Sequence, residues 1–249
     1  MDSNFDLNSY GDMISKIQNL GYKLVFFEDL DIHAPHLILR HDIDISLESA
    51  LKMATFEASK KFYSTYFILL RSDFYNIYSS IASKIIKEIL SLGHKIGLHF
   101  DHSIYKNLES ASIDKYCEKE CHAIESWFDI HINTISFHKP SKYLLSLDKN
   151  VAGRINTYHS TYFKKIIYCS DSRGKWYYGD PITTLKGKNK QAIQLLTHPI
   201  WWDDDSKINP EKKLEQFALK NIKSFCNVLD VNTEVFKSDK FLNHLKKIE

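Results

Sequence analysis

Short apolar runs of strand length recur along this chain, each separated from the next by enough residues for a helix. They are Leu37–Asp44, Tyr63–Leu69, Lys95–His99, Thr134–Phe137, Ile166–Cys169 and Ala192–Thr197. Between them, Leu47, Ala50, Leu51 and Ala54 repeat at helical spacing. Ile77, Ile81, Ile85, Ile89 and Leu92 form a second stripe, which Gly93 stops at the C-terminal capping position. A run from about Ser112 to Phe128 reads as a further helix, and Asn209-Pro210-Glu211 as the capped start of a long one bearing Leu214, Phe217, Ala218, Ile222, Phe225 and Leu229. A short helix is expected after Asn232. Strands joined by helix-length crossovers predict an α/β fold with a parallel sheet, open or closed into a barrel.

Composition narrows the function classes. With 249 residues, 43% hydrophobic and 26% charged, the chain suits one α/β domain over residues 1–249. A formal net charge of +2 argues against a nucleic-acid partner. Lys186-Gly187-Lys188-Asn189-Lys190 reads as an exposed loop. No stretch approaches a membrane span, and the first residues lack the charged and apolar segments of a secretory signal, so a cytoplasmic location is expected. Four cysteines are too few for a disulfide framework at this size. Cys117, Cys121 and His122 invite a zinc reading, but Cys117 and Cys121 are an i, i+4 helical pair and read better as small buried hydrophobes.

In parallel α/β folds, ligands gather where the strands end. The polar residues at those exits are Asp42, Asp44, His99, His138, Asp171 and His198. Asp42 and Asp44 are spaced two apart, so on a strand they share a face, with Ile43 opposite. Carboxylates placed together this way are costly without a partner, and a metal cation is the usual one.

The order and wording of these segments resemble the polysaccharide deacetylase superfamily (carbohydrate esterase family 4, NodB-like) over roughly Leu37 to Trp202. Gly93-His94-Lys95-Ile96-Gly97-Leu98-His99 is similar to that family's Gly-His-Glu-Ile-Gly-x-His stretch, and Asp42-Ile43-Asp44 to its Asp-Asp motif in spaced form. Phe137–Pro140, Asp171–Trp176 and Leu196–His198 resemble its third, fourth and fifth motifs. Arg40-His41-Asp42-Ile43-Asp44 is closest to a cytoplasmic branch associated with surface-polysaccharide, including lipopolysaccharide, biosynthesis.

The resemblance implies a distorted (β/α) barrel, with the N-terminal and C-terminal helices packed on the motif-bearing core. It also implies a hydrolase that removes N-acetyl groups from amino sugars with a divalent metal. Asp42 would then be the general base, Asp44 and His99 metal ligands, and His198 the acid for the leaving amine. Asp171 and Trp176 would shape the pocket and orient His198. A mixed Asp/His site suits zinc, and also cobalt or manganese. The implied partner is an amino-sugar-containing small molecule or a lipid-linked glycan precursor.

Where the family has its second metal histidine this chain has Ser103, so His102 or His138 is expected to complete the site. His138 stands where the third motif's arginine would be. Arg40 is expected on the substrate side with Trp176 and Trp201, or paired with a carboxylate in the missing arginine's place, or in an ion pair without catalytic duty. Trp201 and Trp202, being adjacent, should point apart, one toward sugar and one into the core. His41 is expected to face away from Asp42, and His94 to be structural. Asp203, Asp204 and Asp205 read as a solvated loop, and Phe5, Tyr10, Met13, Ile14, Ile17 and Leu20 as an amphipathic helix packed on the barrel. The alternatives to the hydrolase are a catalytically silent sugar-binding relative, and a hydrolase of a non-sugar amide or a formyl group.

Overall fold

A computed structural model describes residues 5–105, 110–177, 179–185, 191–202 and 208–245. The acidic run at Asp203–Asp205 and the Lys186–Lys190 loop lie outside the described residues. The chain divides into two compact units, Met1–Asp204 and Asp205–Glu249. The first runs α1 (Leu7–Asn19), β1 (Lys23–Leu24), β2 (His36–Ile43), α2 (Leu47–Ser59), β3 (Thr65–Ile68), α3 (Ser80–Ser91), β4 (Lys95–Asp101) and α4 (Ser110–Phe128). It continues β5 (Thr134–His138), α5 (Lys142–Ser146), β6 (Ile155–Asn156), α6 (Ser160–Phe163), β7 (Ile167–Ser170), α7 (Pro181–Leu185) and β8 (Ile193–Thr197). The second unit holds α8 (Pro210–Asn232) and α9 (Ser238–Leu245). Asn209 caps α8, its side chain accepting from Lys212 N, with Pro210 in the first turn.

All strand pairings in the sheet are parallel, in the order β6-β5-β4-β3-β2-β8-β7, with β1 added beside the start of β2. The seven strands on that path curl into a half-barrel with flanking helices, the distorted (β/α) barrel the resemblance implied. Strands buried on both faces favour apolar residues, which is why Leu37–Leu39 of β2 and Tyr66–Ile68 of β3 read as continuous runs. The two-residue strands β1 and β6 were not expected, being too short to show a period. Among the described residues, no helix is long and apolar enough to cross a membrane.

The two faces of the sheet carry different chemistry. On the helix side, Ile43, Tyr66, Ile68, Leu98, Phe100, Ile135 and Phe137 form the main core with α2, α3 and α4. Cys117 and Cys121 are buried in it, and burial pushes both thiols up, Cys121 to about 12. Thiols held neutral are poor metal ligands, and His122 is exposed, so the small-hydrophobe reading of this pair stands. On the inner side, Phe67 packs with Val25, Phe27 and Ile38. Gly97 faces Phe67 across the β3–β4 pairing, and a Cβ there would lie 2.5 Å from that ring.

A buried carboxylate anchors the helix side. Glu57 on α2 is fully buried and accepts from Tyr10, Tyr66 and Ser64, while His41 Nε2 lies 2.9 Å from its Oε1. His41 thus faces away from Asp42, as expected, and His94 contacts the Ala54 carbonyl and Ser64 in a structural role. Burial works against ionisation of Glu57, but His41, His94 and the Tyr10 hydrogen bond outweigh it and hold the carboxyl at about 2, against an ordinary 4.5. A depressed carboxyl contributes stability above its unfolded pKa and loses it as pH falls toward the folded value. Glu57→Gln is therefore expected to cost on the order of 3 kcal/mol near pH 7, and the deficit should shrink between pH 4.5 and 2. Urea titrations across that range check it; a deficit independent of pH would contradict it.

Candidate active site

The inner face of the sheet leads upward to a set of polar side chains. Alternation puts Arg40 and Asp42 of β2, His99 of β4, Ser136 and His138 of β5 and Gln194 of β8 on that face. Their registers bring them together: His99 pairs with Ser136, Asp101 with His138, and Ile38 with Gln194.

Arg40 and Asp42 form a buried bidentate pair, Nε donating to Oδ1 at 2.9 Å and Nη2 to Oδ2 at 2.8 Å. Arg40 is fully buried, donates also to Gln194 Oε1 and Tyr158 Oη, and lies 4.9 Å from the Tyr158 ring centroid and 5.5 Å from that of Phe67. The i, i+2 spacing on one strand is what makes the pair possible. Burial would raise the Asp42 pKa, but Arg40, then His99, hold it below the ordinary carboxylate range, so Asp42 is ionised at neutral pH. Of the places considered for Arg40, the structure gives it the carboxylate partner. It is not among the residues that line the cavity described below.

Just past β2, Asp44 faces His99 and His138. Asp44 Oδ1 is 3.0 Å from His99 Nε2 and 3.2 Å from His138 Nδ1, and those nitrogens are 3.2 Å apart. His99 Nδ1 lies 2.6 Å from Ser136 Oγ. Donation from Nδ1 to that hydroxyl leaves Nε2 with its lone pair toward Asp44 and His138. Asp44 Oδ1 is buried with no hydrogen-bond partner of acceptable geometry. An orphaned carboxylate oxygen beside two imidazole nitrogens, all within 4.8 Å of one another, is a donor set that fits a divalent cation. Among the described residues His102 does not belong to this set. It begins a short 3₁₀ turn after β4, and its Nδ1 has no hydrogen-bond partner. His138, at the end of the neighbouring strand, supplies the third donor atom instead.

Opposite stands His198. Its Nδ1 lies 2.6 Å from Oδ1 of the fully buried Asp171, and its backbone N–H donates to the same carboxylate. Burial lowers the His198 pKa, but the Asp171 charge and hydrogen bond outweigh it and raise it to about 9. The ring is thus protonated at neutral pH. Its Nε2, 3.9 Å from Asp44 Oδ2, points toward the metal set.

Trp202 Nε1 donates to Asp171 Oδ2 at 2.7 Å. The Trp202 ring packs edge-on against Phe5 and Tyr10, with centroids 4.9 and 5.4 Å away. The N-terminal segment thereby backs the pair that aims His198. Phe5 and Tyr10 stood out in the sequence as an apolar helix face, but nothing there tied them to Asp171. The two tryptophans part as expected: Trp201 lines the cavity, Trp202 backs Asp171. Trp176, expected at the substrate, lies in the cluster with Phe5 and Trp202 and does not line the cavity.

Asp42, Asp44, His99, His138 and His198 open onto one cavity of about 480 Å³, which Trp201 also lines. That is room for a sugar ring with a substituent.

No family model matches the sequence, and no curated protein does. Solved structures do. A family 4 carbohydrate esterase from Bacillus anthracis is 16% identical, over 85% of this chain and 86% of that one, with a TM-score of 0.44. Peptidoglycan deacetylase PdaC from Bacillus subtilis is 13% identical, over 76% and 87%, at 0.41. A family 4 pseudoenzyme from Bacillus anthracis is 14% identical, over 84% and 75%, at 0.42. The chain is thus similar to enzymes and to a pseudoenzyme of the family its motifs resemble, and the functional reading rests on the site itself.

Proposed function

We propose that this chain is a metal-dependent hydrolase that removes an acyl group, acetyl foremost, from the nitrogen of an amino sugar. The observation that carries the reading is the arrangement around one cavity: an ionised Asp42, a three-residue metal donor set, and an Asp171-held His198 aimed between them.

Amide hydrolysis needs a base for the attacking water, stabilisation of the developing oxyanion, and a proton for the departing nitrogen. Asp44, His99 and His138 would hold the cation, zinc by preference, with cobalt or manganese also suited. A divalent cation there supplies Lewis acidity to the acyl oxygen and the water. Asp42, fixed by Arg40 so that it cannot rotate away, accepts the proton of the water. His198, protonated and oriented through Nδ1, delivers its Nε2 proton to the amine. Surroundings that hold the Asp42 carboxyl down and the His198 imidazole up support base and acid roles in that order. Trp201 offers the sugar an apolar wall.

Acetate release from N-acetylated amino sugars, assayed with zinc, cobalt or manganese and again after chelation, tests the reading. Release that needs the metal and is lost in His198→Ala is the expected result. Sugar binding without acetate release under every metal would favour a catalytically silent carbohydrate-binding protein.

A further inference from the structure

Two cations stand at the rim of the cavity that the hydrolytic roles leave unused. Lys139 follows His138 at the exit of β5, and Arg173 lies in the turn after β7, two residues from Asp171. Both line the cavity and both are exposed. Among the described residues, neither is held by an ion pair to a carboxylate. Both also have left-handed backbone, φ 43° at Lys139 and φ 57° at Arg173, which residues with a Cβ rarely adopt. Lys139 is set between His138 and Pro140, and the Arg173 turn is closed by Gly174 N–H donating to the Asp171 carbonyl. Each cation is therefore borne by a loop that also carries a site residue.

The chemistry on the floor does not need these charges, since Asp42 already has Arg40 and Asp44 already faces two imidazoles. What they suit is an anion on the part of the substrate that projects to the rim. Lysine offers a phosphate a compact set of donors, and the arginine fork matches phosphate oxygens in geometry. We infer that Lys139 and Arg173 form a subsite for a phosphoryl group attached to the amino sugar, so that the substrate is a phosphorylated or diphosphate-linked sugar and not an uncharged glycan. The inference rests on the proposed hydrolase reading for its sugar and stands alone for its anion.

The test is calorimetric titration of the full-length, zinc-loaded protein with inorganic pyrophosphate, N-acetylglucosamine 1-phosphate, UDP-N-acetylglucosamine and the uncharged methyl N-acetylglucosaminide. Pyrophosphate should bind, and the phosphorylated sugars should bind more tightly than the glycoside. Lys139→Ala and Arg173→Ala should each weaken the phosphorylated ligands about tenfold, and the double variant about a hundredfold, with the glycoside unchanged. The difference should fade as salt rises. Titration of chelated protein with pyrophosphate separates the subsite from direct binding to the metal: the loss in the double variant should persist. Anion binding indifferent to both substitutions, equal losses for glycoside and phosphorylated sugar, or no pyrophosphate binding at all would overturn the subsite. A protein that shows the anion preference but releases no acetate would sink the hydrolase reading and leave the subsite standing. Similar kcat/KM on glycoside and sugar phosphate would do the reverse. The 1-phosphate and UDP arms distinguish a simple sugar phosphate from a diphosphate-linked donor.

Discussion

Asp42→Asn is expected to lower acyl hydrolysis by a factor of about 10²–10⁴ while leaving bound metal largely in place. The asparagine keeps the shape and can still accept from Arg40, but it cannot take a proton from water. Its side chain is not among the three that converge as metal donors, and its Oδ2 lies 3.7 Å from His99 Nε2, beyond hydrogen-bond reach. Steady-state kinetics together with elemental analysis of the same preparation decide the matter. Loss of metal in step with activity would show that Asp42 is a ligand, and undiminished turnover would remove it from the mechanism.

The second large effect is on stability. Arg40→Met should cost about 3–5 kcal/mol, because it leaves Asp42 charged, buried and unpaired. Neutralising both partners should remove most of that penalty. The double variant Arg40→Met with Asp42→Asn is expected to be more stable than the sum of the two single losses predicts. Denaturant titrations of the four proteins form the cycle. Additive losses would mean that the pair is not coupled, and that Arg40 acts through its packing on Phe67 and Tyr158 alone.

The sequence was legible wherever one local rule carried the information. Period-2 alternation at a strand end brings Asp42 onto the inner face beside His99, and the same rule sends His41 to the helix side. Pro210 after Asn209 marks the start of α8 because capping chemistry is local. Roles that depend on distant contacts were not legible. Glu57 looks like any helix glutamate until Tyr10, Tyr66, His41 and Ser64 are folded around it. Arg40 had several possible places because an i, i+2 pair can face substrate or bury itself, and Gln194 and Tyr158, far away in the chain, settle the choice. Either His102 or His138 was expected to complete the metal site. The β4–β5 register separates them by putting His138 on the inner face at the level of Asp101. Trp176 and Trp202 carry an aromatic signal that does not say whether ring or sugar will cover it.

The central claim is that Asp44, His99 and His138 together hold a divalent cation. Metal content after incubation with zinc and removal of the excess, measured on the wild type and on His99→Ala, His138→Ala and His102→Ala, tests it most directly. About one ion per chain is predicted for the wild type and for His102→Ala, with marked loss in the other two. No retained metal in the wild type, or loss in His102→Ala with retention in His138→Ala, would contradict it.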